Sequence, residues 1–339
     1  MDKVAVVILN YNGEQYLKKF LSTVVAHTKI GPVVVVDNGS TDQSIAYLKT
    51  HHPKIRLITL TKNLGFSGGY NQGLEQIDAT YYVLLNSDVE TTADWLEPMI
   101  QWLDDHPEAA ICQPKIKSFN HPDHFEHAGA AGGWIDILGY PFCRGRFFDS
   151  VEKDEGQFDE NQAIFWAGGA CMVIRSAVYH QLGGLDPDYF AHMEEIDLCW
   201  RAQNAGYQVH YVAQSTVYHV GGGTLSVENP RKTYLNFRNG FSMLVKDLPA
   251  KALFWKLPLR FFMDLIAALR FIAIGAWRHF FAVLRAQWAY LWYLRKDIKK
   301  RVKPVTKTTP KGIFPKSIVW SYFVLKKKRF DQLDIKSAK

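Results

Sequence analysis

The chain has 339 residues, 47% hydrophobic, 14% aromatic and 22% charged, which excludes a disordered chain, a collagen and a disulfide-dense scaffold. Its net charge of +7 hides a division: residues 251–339 hold 21 Lys and Arg against 4 Asp and Glu, so the first 250 residues are acidic. An acidic body argues against nucleic acid as a partner, and a basic end points to an anionic surface.

The length suits about two domains, or one large α/β domain with an appendage. Cys112, Cys143, Cys171 and Cys199 lie far apart without CxxC spacing, which fits a reducing compartment rather than a zinc ribbon or a disulfide framework. No basic segment precedes the apolar run Val4–Leu9, so the start reads as a strand and not as a secretory signal. That run ends in the turn Asn10-Tyr11-Asn12-Gly13. Tyr16, Leu17, Phe20, Leu21 and Val24 then recur at helical spacing. Val33–Val36 is a continuous β-branched run, expected of a strand buried on both faces. It ends at Asp37-Asn38-Gly39-Ser40-Thr41-Asp42, before a helix expected over 43–50. Further strands are expected at Ile55–Leu60 and at Tyr81–Leu85, the latter ending in Asn86-Ser87-Asp88. Strands alternating with helices imply a mostly parallel sheet covered on both faces, with ligands at the carboxyl ends of the strands. The polar clusters all fall at such ends. Residues 91–245 are less regular, with strands expected near 170–174 and 208–213.

Each cluster has a plain and a chemical reading. Asp37 can accept from a base or a ribose, or can serve with Ser40, Thr41 or Asp42 only in a turn and helix cap. Asn63-Leu64-Gly65-Phe66-Ser67-Gly68-Gly69-Tyr70-Asn71 brings small residues to a helix start, where amides can approach a phosphate or a sugar. Its spacing is neither GxGxxG nor a P-loop. Asp88 at a strand end can hold a divalent cation, with His219 as a second ligand. Glu194 and Glu195 open a helix, where acids suit the dipole; adjacent carboxylates also raise each other's pKa, which suits a general base. Trp166-Ala167-Gly168-Gly169 reads as a packing turn or as a floor for a sugar ring. His121, His124 and His127 lack the Cys partners of a zinc site.

The order VVILNYNG, VVDNGSTD, NLGFSGGYNQG, LLNSD, WAGGACMVIR, GGLD, EEIDLCWR, HVGGGT, FRNG resembles the bacterial family 2 glycosyltransferases, in particular the rhamnosyl- and galactofuranosyltransferase branch, over roughly residues 3–245. The resemblance implies a GT-A fold, a Rossmann-like mixed sheet with helices on both faces. It implies inverting transfer from a nucleotide-diphospho-sugar, linked to UDP or dTDP, to an acceptor hydroxyl. By position, Asp37 with Asn10 and Asn12 would contact the nucleotide, and Asn63, Gly65, Phe66, Asn71 and Ser87 would shape the donor pocket. Asp88 matches the last acid of the family's DxD motif, His219 completes a metal shell, and Glu195, with Glu194 beside it, matches the base. Trp166, Gly168, Gly169 and Arg238 match positions near donor and acceptor. Asn86 replaces the first acid of DxD, and Glu stands where Asp is usual at the base. A carboxylate–imidazole–diphosphate shell suits Mn2+ or Mg2+.

On a helical wheel over 256–285, Lys256, Arg260, Asp264, Arg270, Arg278 and Arg285 share one arc of about 120° among Phe, Leu, Ile and Trp. The longest charge-free run, 286–294, is shorter than a span of about 20 residues. One or two helices are therefore expected in the membrane interface, with Trp288, Trp292 and Tyr293 at headgroup level and the basic tail on anionic lipid. The alternatives are a helical pair packed on the catalytic domain or a dimer contact, with Pro258 in a first turn or breaking the helix. The expected organisation is a catalytic domain over 1–245, amphipathic helices over 246–294 and a basic tail over 295–339. The whole is expected at the cytoplasmic face of the membrane, acting on a lipid-linked glycan for surface polysaccharide. The competing readings are a nucleotide-binding oxidoreductase, opposed by the missing GxGxxG, and a non-catalytic scaffold of the same fold.

Overall fold

A computed structural model describes residues 2–126, 129–221, 229–301, 305 and 309–335. The elements in chain order are β1 (Asp2–Asn10), α1 (Glu14–His27), β2 (Val33–Asp37), α2 (Ser44–His51), β3 (Arg56–Thr59), α3 (Gly65–Leu74), β4 (Ala79–Asn86), β5 (Val89–Thr91), α4 (Glu97–Asp105) and β6 (Ala109–Ser118). Then come β7 (Gly133–Asp136), β8 (Pro141–Cys143), β9 (Arg146–Phe147), β10 (Ser150–Val151), β11 (Gln162–Ile164), β12 (Cys171–Arg175), α5 (Ser176–Gln181), α6 (Glu194–Asn204) and β13 (Gln208–His219). The chain closes with α7 (Pro230–Asp247), α8 (Ala250–Ala273), α9 (Trp277–Lys300), β14 (Ile313–Phe314) and α10 (Ile318–Phe323).

The main sheet runs β11-β13-β6-β12-β4-β1-β2-β3, with β5 paired to β13. Period-two alternation sends neighbouring side chains to opposite faces. Val4, Val6 and Ile8 join Leu17, Leu21 and Val24 of α1 in one core; Ala5 and Val7 join Tyr70 and Leu74 of α3 in the other. Each fully buried aliphatic side chain contributes about 1.5–3 kcal/mol. Packing of α3 on β2 is close enough that a Cβ at Gly73 would lie 2.6 Å from Val36 Cγ2, so Gly73→Ala would force helix and strand apart.

Register decides what meets at the sheet edge. Parallel β1 and β2 place Asn10 beside Asp37, and parallel β1 and β4 place Leu9 beside Asn86. The first half is parallel as expected, but β12 runs antiparallel to both β4 and β6. The last strand extends well past the expected 208–213: a register shift between Val212 and Thr216 lets β13 continue to His219. There it pairs antiparallel with β5, His219 opposite Val89.

A second sheet, β10-β9-β8-β7-β14, stands beside the first. Its edge strand β14 comes from the C-terminal region and pairs with β7, Ile313 against Ile135. Phe314, Ile318 and Leu333 pack on Trp134, Phe142 and Phe147. Residues 309–335 are thus part of the body, not a tail, and the expected boundary at 295 falls inside α9. The basic residues of this stretch are interspersed with apolar ones that bury against the second sheet.

The C-terminal helices are a pair separated at Gly275, whose φ is +75°, and packed on α7. The charged arc of the wheel is not uniformly outward. Arg260 and Asp264 are buried, joined Nε to Oδ1 at 2.9 Å. Asp264 accepts from the Tyr140 hydroxyl at 2.6 Å, and Arg260 donates to the Gly139 carbonyl at 3.0 Å. Mutual satisfaction allows the pair to be buried, and it anchors α8 to the β7–β8 turn. Pro258 lies inside α8, neither in its first turn nor at a break. The apolar face is turned outward instead: Phe254 is 88% exposed, Trp288 70% and Trp292 86%. None of the described helices is long and apolar enough to cross a membrane.

Candidate active site

At the β1 and β2 ends, Asn10 Nδ2 donates to Asp37 Oδ1 at 2.9 Å, and the other Asp37 oxygen accepts from the Ser40 amide at 2.9 Å. Asn12, with φ +51°, accepts from the Thr41 amide at 2.7 Å. These three residues shape the floor of the edge, with Asp37 fully buried. Asn63 Oδ1 accepts from the Gly65 amide at 2.8 Å. Gly65 takes φ +74°, and a Cβ there would lie 2.5 Å from the Phe190 carbonyl oxygen, so this glycine is required. A Cβ added at Gly13 would meet Asn10 Oδ1 at 2.5 Å and Ser87 Oγ at 3.4 Å, which puts Ser87 at the same edge.

Asp88 and His219, 131 positions apart, are brought together by the β5–β13 pairing: Nε2 lies 3.1 Å from Asp88 Oδ1. On the far side of the ring, Nδ1 lies 3.0 Å from Glu126 Oε2. All three are nearly solvent-free. Burial opposes a charged imidazole, but the two carboxylates outweigh it and push His219 up to about 10. Asn86 Nδ2 lies 3.5 Å from the same Nε2. A carboxylate backing a histidine is the arrangement that orients metal-bound imidazole, and Asp88 Oδ1 faces Nε2 across a gap that a proton or a cation can bridge. With the Nε2 proton displaced, as metal binding to imidazole requires, the donor set fits a divalent ion held by these two atoms, although no cluster of three or more such side chains occurs among the described residues.

Glu194 and Glu195 begin α6 behind a strained approach: Phe190, His192 and Met193 all have positive φ. Asn239 of α7 holds that approach, donating Nδ2 to the carbonyls of Tyr189, Ala191 and His192 at 3.2, 2.9 and 2.6 Å. Glu194 is 4% exposed, and burial followed by the Glu195 charge holds its carboxyl well above the usual range. Glu195 is half-buried; burial raises it to about 7 against backbone amides that pull it back. One oxygen of each, Oε2, has no partner. Gly169 joins the two halves of the edge. A Cβ there would lie 3.4 Å from Phe66 and 4.0 Å from Glu195 Cβ, and the next residue, Ala170, accepts from the Asn86 amide at 3.0 Å.

Three expected residues lie elsewhere. Trp166 is core: its ring is covered by Gly133, where a Cβ would come within 2.1 Å, and its Nε1 donates to Trp134 O at 3.0 Å. It offers no face to a sugar. Asn71 clamps the chain, Nδ2 to Leu185 O at 2.7 Å and Oδ1 accepting from the Tyr179 hydroxyl at 2.5 Å. Arg238 is buried and braces Asp188 O at 2.8 Å. The rings of His121 and His124 stand 6.3 Å apart, and His124 pairs with its neighbour Asp123; His127 and Gly222–Thr224 lie outside the described residues. Glu126 and Asn239 escaped the sequence reading, because no local pattern marks an acid or an amide whose partners lie 93 and about 50 positions away.

The mixed sheet, with helices on its faces and a polar edge, is a glycosyltransferase fold of the GT-A class. Residues 5–183 match the family model described as "Glycosyl transferase family 2", and the chain belongs to that family. It is 27% identical over 237 residues, 64% of this chain and 76% of the relative, to the N-acetylglucosaminyl-diphospho-decaprenol L-rhamnosyltransferase of Mycobacterium tuberculosis. Among solved structures it resembles the mannosyltransferase of Pyrobaculum calidifontis in complex with GDP-Man and Mn2+, with TM-score 0.53, 16% identity and coverage of 86% of this chain and 87% of that one. It also resembles GalNAc-T7 with UDP, GalNAc and Mn2+, with TM-score 0.55 and 14% identity, over 73% of this chain and 48% of that one. The matched part thus spans about half of the GalNAc-T7 chain.

Proposed function

We propose that this glycosyltransferase inverts the anomeric centre of a nucleotide-diphospho-sugar, UDP- or dTDP-linked, while transferring a hexose or deoxyhexose to a hydroxyl of a lipid-linked glycan. The reading extends to surface polysaccharide assembly at the cytoplasmic face of the membrane, with residues 1–245 as the catalytic unit. The observation that carries it is the Glu195 carboxylate, raised to about 7 and lying across Gly169 from the strand end that holds Asp88.

Glu195 would take the proton of the acceptor hydroxyl as that oxygen forms its bond to the anomeric carbon. The bond from that carbon to the diphosphate breaks on the opposite side, and the nucleotide diphosphate leaves with the bonding pair. A base near neutrality is matched to this task. Asp88 and His219 would hold Mn2+ or Mg2+, which when bound supplies positive charge for the leaving diphosphate. Asn10, Asn12, Asp37, Asn63, Gly65, Phe66 and Ser87 would form the donor side. The relative's name, a lipid-diphosphate rhamnosyltransferase, and the outward apolar face of α8 and α9 support a lipid-linked acceptor at an anionic membrane surface.

The direct test is a panel of UDP- and dTDP-sugars with Mn2+, read as nucleotide diphosphate released with and without a membrane lipid extract. Extract-dependent release from one donor is expected. No release from any donor, with the protein folded, would overturn the reading.

A further inference from the structure

Three residues just ahead of the acids of α6 take backbone conformations that their side chains disfavour. Phe190, with φ +63° and ψ −56°, is the centre of a turn in which the Ala191 amide donates to the Tyr189 carbonyl at 2.7 Å. That is the rarer, strained form of γ-turn. His192 and Met193 follow at φ +69° and +73°, a region that glycine enters far more cheaply. Such conformations persist only where the surroundings over-determine them, and they gather at functional sites.

The surroundings here are specific: every carbonyl from Asp188 to His192 accepts from outside the segment. Arg238 Nη1 donates to the Asp188 carbonyl at 2.8 Å, and Nη2 reaches that of Tyr189 at 3.4 Å. Asn239 Nδ2 donates to Tyr189, Ala191 and His192 at 3.2, 2.9 and 2.6 Å. The remaining carbonyl, that of Phe190, accepts from the Phe66 amide of α3 at 2.6 Å. Carbonyls carry no proton, so only a donor such as the Asn239 amide nitrogen can face three of them. Arg238 and Asn239 are neighbours on α7, both buried, and the Tyr293 ring of α9 covers the guanidinium at 4.7 Å.

Met193 immediately precedes α6, so its backbone sets the direction in which Glu194 and Glu195 leave the turn. Burial raises the Glu195 carboxyl, and the amides that pull it back belong to Glu195 itself, Ile196 and Met193. The carboxyl thus rests on the backbone that this turn shapes. Further along α6, Asp197 is held by Lys246 and Arg201, so the body of the helix is fixed independently. Release of the turn would change the aim of the acids and leave the helix in place. The Gly65 loop also keeps its own anchors. Asn38 Nδ2 donates to the Gly65 carbonyl at 2.9 Å, and Asn38 Oδ1 accepts from the Leu64 amide at 3.0 Å.

We propose that Arg238 and Asn239 are positioning residues for Glu195: together they hold residues 188–192 in a conformation the chain would otherwise leave, and so aim the Glu195 carboxylate at the acceptor hydroxyl. The proposal rests on the reading of Glu195 as the base given above. It gives Arg238 a role exerted through the loop rather than on donor or acceptor.

The test uses the full chain, with turnover of its nucleotide-sugar, calorimetry with UDP and Mn2+, thermal denaturation and amide hydrogen exchange read side by side. Asn239→Leu keeps the size of the side chain and removes its donors. Asn239→Ser keeps one donor and carries the same comparison should N239L not fold. Arg238→Lys keeps the charge and loses the fork. In N239L, kcat should fall about 100-fold, the loss expected when a reacting group is displaced by about 1 Å. The donor KM and the UDP affinity should stay within about threefold of wild type. R238K should lie between N239L and wild type, and amide exchange over 190–195 should quicken in all three. The deciding comparison adds Glu195→Gln. A residue that acts through Glu195 takes little more from a variant that already lacks the base, so N239L/E195Q should turn over within about threefold of E195Q. A double loss equal to the product of the single losses makes Asn239 merely structural and overturns the proposal, as does wild-type kcat or wild-type exchange in N239L and N239S. Impaired E195Q beside unimpaired N239L removes the clamp alone. Near wild-type turnover in E195Q, or none in the wild type, removes the base reading and the clamp with it.

Discussion

The Lys246 ammonium of α7 lies 2.5 Å from Asp197 Oδ1 on α6, and both side chains are buried. Asp197 also accepts from Arg201 Nε at 2.8 Å and from the Tyr189 hydroxyl at 2.9 Å, while Lys246 reaches Asp186 at 2.7 Å. On α9, Lys300 pairs with Asp186 and Asp188, and Lys296 pairs with Asp188, each at 2.6 Å. The helix that begins with Glu194 and Glu195 is thereby locked to the C-terminal helices. The part of the chain that faces outward with its apolar side is mechanically continuous with the proposed base.

Removing the central cation should unfold this arrangement. Lys246→Met leaves two buried carboxylates short of their partner and is expected to cost about 3–5 kcal/mol, measured by urea denaturation. Burial raises the carboxyl of Asp186, but Lys246 and Lys300 outweigh it; in Asp197, Arg201 and Lys246 do the same. Both carboxyls are therefore depressed in the folded state. Their stabilisation is present above the unfolded value of about 4 and is lost as pH falls through the folded values. The gap between wild type and Lys246→Met should accordingly shrink between pH 5 and pH 3. A gap that is constant over that window contradicts the ion-pair account.

Glu195→Gln should keep donor binding and lower transfer by about 10²–10⁴, the usual contribution of a placed base. With its carboxyl at about 7, the wild-type rate should climb as pH rises through 7 and level above it. Glu194→Gln should be milder, because Glu194 is 4% exposed while Glu195 is only half-buried. Near wild-type turnover in Glu195→Gln removes the assignment.

Asp88→Ala should abolish Mn2+-dependent UDP binding in calorimetry. Glu126→Gln retains both proposed ligands and neutralises the carboxylate that backs His219, so it should weaken metal affinity about 10–100-fold. Unchanged titration in both variants would falsify the metal role of this pair.

Trp288 and Trp292 are 70% and 86% exposed on α9. Replacing both with Ser should weaken flotation with anionic vesicles by about tenfold or more, given the apolar area each side chain buries. Added salt should weaken wild-type binding further through the basic flank. Equal recovery of wild type and variant in the lipid-free fraction would remove the membrane from the proposal.

The parallel half of the sheet was legible because Val4–Leu9 and Val33–Val36 are continuous apolar runs ended by turn residues. The acids at 194–195 and Asp88 stood out for the same local reason, lying where a pattern stops. The second sheet was not legible. Its strands are two to four residues long, too short for any period to show, and one of them comes from beyond residue 300. The wheel over 256–285 found the two faces of the C-terminal helices but not their direction, because a buried Arg260–Asp264 pair and an exposed one are spelled alike.

The order of residues alone determined the strand–helix alternation and the family, since both are written in short contiguous motifs. Only the folded chain decided that His219 stands between Asp88 and Glu126, that Trp166 is core, that Arg238 lies against Tyr234, and that the apolar sides of α8 and α9 look outward. Each of these depends on register and packing between segments distant along the chain, and pairings of that kind are set by the whole core at once.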